Sequence, residues 1–139
     1  GTIRHNINKN TVDMQLNTKP IWSLKFNIGA AKIDLDLSSY RVDSAQFEAG
    51  ASSMEIKVGN KNPITILSFN AGASSITIEV PKSSGCQVTS DSFMVSKEFD
   101  ELTKVSDNKY QTPGFATSKN KVYITLQSAI SKIRVERYE

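Results

Sequence analysis

Three segments of the chain share one pattern: FNIGA at residues 26–30, FEAGA at 47–51 and FNAGA at 69–73. Each segment begins with phenylalanine, reaches a glycine three positions later and continues into a stretch of alternating apolar and polar residues. The starts at 26, 47 and 69 lie 21 and 22 residues apart, and a degenerate fourth copy starts at Leu126. Self-similarity at such a period is typical of proteins built from stacked repeats.

The alternation predicts β-strands that each bury one face. After the three glycines, and again in the fourth copy, the apolar positions recur every second residue: Ile33, Leu35, Leu37; Met54, Ile56, Val58; Ile76, Ile78, Val80; Ile133, Val135. A further strand is predicted before each corner, at residues 21–28, 40–49, 64–71 and 122–126, and the first of these alternates through Trp22, Leu24, Phe26 and Ile28. Ile28 and Ile33 are an odd five positions apart, so the Gly-Ala step between them must bend the chain or carry a bulge.

We therefore predict an all-β protein made of strand–corner–strand units, with residues 1–139 forming a single domain. The predicted architecture is a repeat-built stack of β-sheets, β-solenoid-like, with 21–22 residues in each repeat. A β-sandwich of hairpins is the alternative. The two differ in the placement of Phe26, Phe47 and Phe69, which a stack puts about 5 Å apart on adjacent strands.

Two parts of the chain depart from the repeat. Residues 91–121 are an insertion in which Val95, Phe99 and Leu102 have the spacing of a short helix, while two short strands with loops fit equally well. Turns are expected at residues 106–109 and 112–115, where Asp-Asn and Pro-Gly pairs occur. Residues 11–16 alternate and predict a first, capping strand.

Composition excludes several classes of protein. The formal charge of +3 comes from 17 Lys and Arg against 14 Asp and Glu, with no polybasic run, so we expect no nucleic-acid partner. One cysteine excludes an internal disulfide framework, and one histidine argues strongly against His-based metal sites. The chain begins at Gly1 without an initiator methionine, so we expect a piece of a longer protein.

Acidic residues provide the first candidates for chemistry. Asp34 and Asp36 share one face of a strand, about 6–7 Å apart, within the range of a glycosidase pair. In the repeat, however, Asp34 aligns with Glu55, Thr77 and Arg134, and Asp36 aligns with Lys57, Glu79 and Glu136. Positions that accept either sign of charge are typical of a solvated surface. Glu98, Asp100 and Glu101 lack the spacing of a calcium loop, and five lysines of the insertion are expected to neutralise them (Lys97, Lys104, Lys109, Lys119, Lys121).

The remaining candidates are a thiol, serines and amides. Cys86 has no base near it in sequence and is interpreted as a buried, inert thiol. Ser52 and Ser74 share a position just after the corner, where hydroxyl groups satisfy turn amides. Asn27, Asn70 and Gln127 share a position with Glu48, as a polar ladder or a shallow binding strip. We predict no catalytic residues, no cofactor site and no metal site.

The arrangement resembles the C-terminal domain of LiaF-like regulators of bacterial cell-envelope stress, and more loosely the adhesin-type "toastrack" β-domains. The resemblance rests on GAAKIDL at residues 29–35 with its copies, on ITIEVP at 76–81, and on the C-terminal run from TPGF at 112–115 through KVYITL at 121–126 to IRV at 133–135. It covers residues 26–138, with Ala129 where the last copy would carry glycine. It implies a stacked β fold, no catalysis, tethering to upstream transmembrane helices and regulation through a membrane sensor kinase.

Our leading hypothesis is a non-enzymatic domain of a membrane-tethered protein in the bacterial cell envelope, which senses or regulates envelope stress through protein contact. Exposed strand edges, the terminal coils and residues 91–121 are the expected contact surfaces. A surface adhesin or structural scaffold is the alternative. A carbohydrate-active enzyme on a β-helix is the third hypothesis, and it needs several carboxylates clustered in one groove.

Overall fold

The computed structural model describes residues 2–7, 17–29, 32–90, 94–127 and 130–139, and for residues 2–7, 94–96 and 130–131 it describes the strand backbone alone. Within these residues the chain is all-β and contains no α-helix. A single 3₁₀ turn spans Phe115–Thr117. The described strands are, in chain order, β1 (Thr2–Ile7), β2 (Ile21–Ile28), β3 (Lys32–Asp36), β4 (Arg41–Ala49), β5 (Ser53–Lys57), β6 (Ile64–Ala71), β7 (Ser75–Pro81), β8 (Ser84–Ser90), β9 (Met94–Phe99), β10 (Thr103–Ser106), β11 (Lys109–Gln111), β12 (Asn120–Gln127) and β13 (Ile130–Tyr138).

The strands form two stacked sheets. The large sheet has the order β1-β2-β4-β6-β12-β8-β11-β10, and the small sheet has the order β3-β5-β7-β13-β9. From β2 to β9 the chain alternates strictly between the large sheet and the small sheet. Among the described strands only the pairs β10–β11 and β11–β8 are antiparallel. The predicted all-β class and the stacked β-sheets are confirmed, and the structure shows that most strand pairs are parallel.

A ladder of phenylalanines marks the register of the large sheet. Phe26 pairs with Phe47, and Phe47 pairs with Phe69, across the adjacent strands β2, β4 and β6. The ring centroids lie 5.0 Å apart in the first pair and 4.7 Å apart in the second, and the rings are nearly parallel. All three side chains are buried. This is the placement that a stack requires, whereas hairpins in a sandwich would have set these residues on opposed sheets.

The core fills the space between the sheets with apolar side chains from alternate positions. Equivalent residues of successive strands pair directly in the small sheet, as Ile33 does with Met54 and Met54 with Ile76. Each of these side chains is at most 1% exposed. Burying one such side chain contributes roughly 1.5–3 kcal/mol. Stacking therefore places like residues on like residues and gives one continuous cluster.

The C-terminal strands are inserted into the stack rather than added to its end. β12 lies between β6 and β8 and pairs in parallel with both, and β13 lies in the same way between β7 and β9. Leu126 pairs with Phe69, so the degenerate fourth copy aligns with the third as the repeat predicts. The consequence is that β8 and β9, which come earlier in the chain, occupy a more outward layer than β12 and β13.

The short helix considered for Val95, Phe99 and Leu102 is not formed. Met94–Phe99 form strand β9 instead, because their backbone groups pair with β13 at the edge of the small sheet. β10 and β11 form a hairpin at the edge of the large sheet, with the expected turn at residues 107–108. The capping strand predicted at residues 11–16 lies outside the described residues. β1, which pairs in parallel with β2, was not predicted.

Two of the repeated corners, at Gly50 and Gly72, do not sterically require their glycine. A Cβ atom added at Gly50 or Gly72 would meet nothing within 4 Å, and neither residue has a positive φ. Gly59 differs, because its Cβ would overlap the backbone of Ser38. The close approach of two corners therefore depends on Gly59, a residue outside the repeated pattern.

Candidate functional site

The paired carboxylates Asp34 and Asp36 lie on the outward face of the small sheet. Asp34 pairs with Glu55, and the row continues through Thr77 to Arg134, as the repeat alignment predicts. A hydrogen bond from the Ser38 hydroxyl holds the pKa of Asp36 below its usual value, with the Ser38 backbone N–H 2.9 Å from the same oxygen. Asp36 is therefore an ionised group that holds a turn.

The acidic residues of the insertion pair with arginines of β13 rather than with the five lysines. Nη2 of Arg134 lies 2.6 Å from Oε2 of Glu98, and Nη1 lies 3.4 Å from Oε1 of Glu136. The hydrogen bond to Glu98 raises the pKa of Arg134. An open depression of about 450 Å³ borders this network, lined by Glu98, Phe99, Asp100, Arg134, Val135 and Glu136. Glu98, Arg134 and Glu136 thus already face opposite charges of the chain, and Asp100 accepts a hydrogen bond from the Arg137 backbone N–H.

Arg137 is a buried cation that the sequence analysis missed. It pairs with Val80 in the small sheet, so its side chain points between the sheets, where it is 4% exposed. Nη2 donates to the carbonyl oxygens of Lys82 and Ser84, and Nε lies 3.7 Å from Oε2 of Glu101. Among the described residues, Nε and Nη1 have no hydrogen-bond acceptor. The sequence feature that could have identified Arg137 as buried was its alignment with aliphatic residues of the other copies.

Cys86 is buried, as predicted. Burial raises the pKa of its thiol to about 12, although the nearby charge of Arg137 acts in the opposite direction. A thiol is a nucleophile only as the thiolate, so this group is inert near neutral pH. The side chain of His5 lies outside the described residues.

The serines that follow the corners satisfy backbone groups. The Ser74 hydroxyl donates to the carbonyl oxygen of Gly50 at 2.7 Å, and its oxygen lies 3.4 Å from the Ser52 hydroxyl. The Ser74 hydroxyl oxygen also accepts a hydrogen bond from the backbone N–H of Ser52 at 3.4 Å, which is the role predicted for these hydroxyls.

The predicted amide row lies on the outward face of the large sheet. Asn27 pairs with Glu48, Glu48 with Asn70, and Asn70 with Gln127, so four exposed side chains form one level across β2, β4, β6 and β12. A shallow depression of about 250 Å³ runs along this level. Its lining includes the outward side chains of Gln46, Glu48, Ser68, Asn70 and Gln127.

An aromatic and aliphatic patch lies on the same face, four positions before the amide row along β6 and β12. Tyr123 pairs with Ile66, which is 41% exposed, two positions before the level that holds Thr125 and Ser68. Phe115 meets the Tyr123 ring edge to face, with centroids 5.5 Å apart. The ring is thus held against the sheet.

Among the described residues, no group of three or more His, Cys, Asp or Glu side chains is arranged to hold a metal ion. Nor does this part of the chain contain a helix with the length and apolar character needed to cross a membrane.

The fold and these surfaces define an all-β protein of two stacked, parallel-rich sheets. The family described as the N-terminal domain of toast_rack, DUF2154, matches residues 1–79, more than half of the chain, and the chain belongs to this family. It is similar to a crystal structure from Clostridium sporogenes described as a "putative cell adhesion protein", with a TM-score of 0.81 at 18% identity. The similarity covers 88% of this chain and 58% of that protein, so the chain spans little more than half of its length. No curated protein matches the chain.

Proposed function

We propose that the chain is a non-enzymatic contact domain of a bacterial envelope protein, tethered to the membrane through a segment outside this chain, that senses or regulates envelope stress. The observation that carries the proposal is that the residues that suggested chemistry have structural roles. Cys86 is buried, Asp36 holds a turn, and Glu98 is paired with Arg134. The resemblance to LiaF-like regulators and membership of the toast_rack family support it. In this proposal residues 1–139 form one domain, and the 21- to 22-residue repeat is its building unit.

The proposed partner is a protein, a membrane sensor kinase, and we place the contact on the outward face of the small sheet. Its rows carry charges of both signs, including Asp34, Glu55 and Arg134, which favour specific orientation of a charged partner. The sheet edges are less suited to contact than the sequence suggested. β10 is short and bulged between Lys104 and Ser106, a device that blocks edge-to-edge pairing.

Site-specific photocrosslinking in envelope-stressed cells tests the proposal. A photoreactive residue at Glu55 of the complete tethered protein reports on the small sheet, with Glu48 on the large sheet and Val105 on edge strand β10 as matched positions. We expect a membrane kinase to be crosslinked from Glu55 and much less from Val105. Recovery of no envelope protein from any of the three positions, with or without stress, would contradict the proposal.

A surface adhesin or scaffold is the second candidate, favoured by the structural similarity to the Clostridium sporogenes protein. The two candidates differ in location. Degradation of the domain by protease added to intact cells favours the adhesin, whereas protection until the cells are lysed favours a regulator that faces the cytoplasm.

A further inference from the structure

The outward faces of the two sheets differ in chemistry. On the small sheet, the level of Asp34, Glu55, Thr77, Arg134 and Glu98 is almost entirely charged. On the large sheet, the two central levels contain mainly amides and hydroxyls: Asn27, Glu48, Asn70 and Gln127 in one, and Lys25, Gln46, Ser68, Thr125 and Thr89 in the other. A partner of the large sheet therefore meets mainly neutral groups that both donate and accept hydrogen bonds, together with the charges of Glu48 and Lys25.

The parallel register arranges these groups as a regular array. Equivalent side chains on β4, β6 and β12 stand side by side, about 4.7–4.9 Å apart across the strands. The 250 Å³ depression lies within this array and is bordered by Gln46, Asn70 and Gln127. Such regular spacing suits a ligand that itself repeats neutral polar groups along its length.

An aromatic ring stands next to the array. Tyr123 lies on β12, two positions before Thr125, with its ring held by Phe115 and with Ile66 beside it. Sugars have an apolar C–H face and a rim of hydroxyl groups. The apolar face fits an aromatic ring, and the hydroxyls fit the amides.

We propose that the outward face of the large sheet, across β4, β6 and β12, binds an uncharged polysaccharide. Three observations favour this occupant. The central strands already use their backbone groups in the sheet, so an extended peptide cannot add a strand there. Glu48 lies within the depression and repels an anionic polymer. Most of the exposed groups are amides and hydroxyls, the kinds of group with which sugar hydroxyls form hydrogen bonds. This inference adds a ligand to the proposed function. The polysaccharide binds the large sheet, whereas the proposed kinase contact is on the small sheet.

Affinity electrophoresis of the complete chain through gels that contain dextran, laminarin or hyaluronate tests the proposal, since the first two polymers are neutral and the third is anionic. We expect dextran or laminarin to retard the protein and hyaluronate to leave its mobility unchanged. Gln127→Ala and Asn70→Ala each remove a hydrogen-bonding side chain, and we expect about two- to tenfold weaker binding.

Thr77→Ala, an outward position of the small sheet, is the matched control and should bind as the unchanged protein does. Thermal unfolding of each variant checks that it is folded. Absence of retardation by both neutral polymers, retardation by hyaluronate alone, or equal weakening by Thr77→Ala would overturn the proposal. Crosslinking from Glu55 is read out separately, so failure here is distinguishable from failure of the kinase contact.

Discussion

Replacing Phe47 by leucine should destabilise the protein more than the same change at either of its neighbours. Phe47 stacks on Phe26 at 5.0 Å and on Phe69 at 4.7 Å, whereas Phe26 and Phe69 each have only one of these two contacts. A stacked aromatic pair contributes about 0.5–1.5 kcal/mol beyond the burial of its area. Phe47→Leu therefore loses two such contributions, and Phe26→Leu and Phe69→Leu lose one each.

The comparison is internally matched, because all three side chains are at most 1% exposed. The loss of ring volume costs a similar amount at each position, so the excess for Phe47→Leu isolates one stacked contact, about 0.5–1.5 kcal/mol. Unfolding in urea, followed by tryptophan fluorescence of the single Trp22, measures the three free energies of unfolding. Equal costs at the three positions, or a larger cost at Phe69 than at Phe47, would refute the ladder as a source of stability.

Three further predictions concern a corner, the thiol and the buried cation. Gly59→Ala should lower the free energy of unfolding by about 1–3 kcal/mol, because the added Cβ overlaps the backbone of Ser38. Gly50→Ala is the control and should change the free energy of unfolding by less than about 0.5 kcal/mol. Equal urea midpoints for the two variants would contradict this. Cys86, with a pKa raised to about 12, should resist iodoacetamide at pH 8 when folded and react once unfolded, as mass spectrometry can show. Arg137→Met should destabilise by about 1–3 kcal/mol in urea, because it leaves the carbonyl oxygens of Lys82 and Ser84 without their donor. Glu101→Gln should cost less than about 1 kcal/mol, because Glu101 is 48% exposed and its Oε2 lies 3.7 Å from Nε of Arg137; the reverse order would contradict this account.

Most strands of the repeat were predictable because they show their buried face as alternation; β4 interrupts the alternation between Val42 and Ala45, where its register to β2 shifts. The stretches predicted at 21–28 and 64–71 coincide with β2 and β6. Register was predictable for a related reason. In a parallel stack, equivalent residues of successive copies become neighbours, so aligning Asp34 with Glu55 also predicted their pairing.

The order of the strands was not predictable from the same pattern. Alternation identifies a strand without naming its neighbours, and consecutive elements usually lie side by side. Nothing in the spacing of β12 indicates that it enters between β6 and β8. The residues around Phe99 have helical spacing, but pairing with β13 makes them a strand.

Among the candidate site residues, some positions were predictable from the sequence and others were not. The amide level at Asn70 follows from alignment of the copies, since outward positions line up when the strands do. The burial of Arg137 does not follow from the alignment, because a charged residue at an inward position is buried only where another part of the chain covers it. Here the loop that carries Glu101 lies beside its side chain.

Disulfide trapping of the inserted strand tests the architecture most directly. Thr125 on β12 pairs with Ser68 on β6 and with Thr89 on β8, and all three side chains point outward. In a Cys86→Ala background, the pairs Ser68→Cys with Thr125→Cys and Thr89→Cys with Thr125→Cys should each oxidise readily, because paired Cα atoms are within reach of a disulfide. The pair Ser68→Cys with Thr89→Cys should not, since β12 separates the two strands. Rapid oxidation of that last pair, with none in the other two, would mean that the strands stack in chain order and would contradict the inserted arrangement.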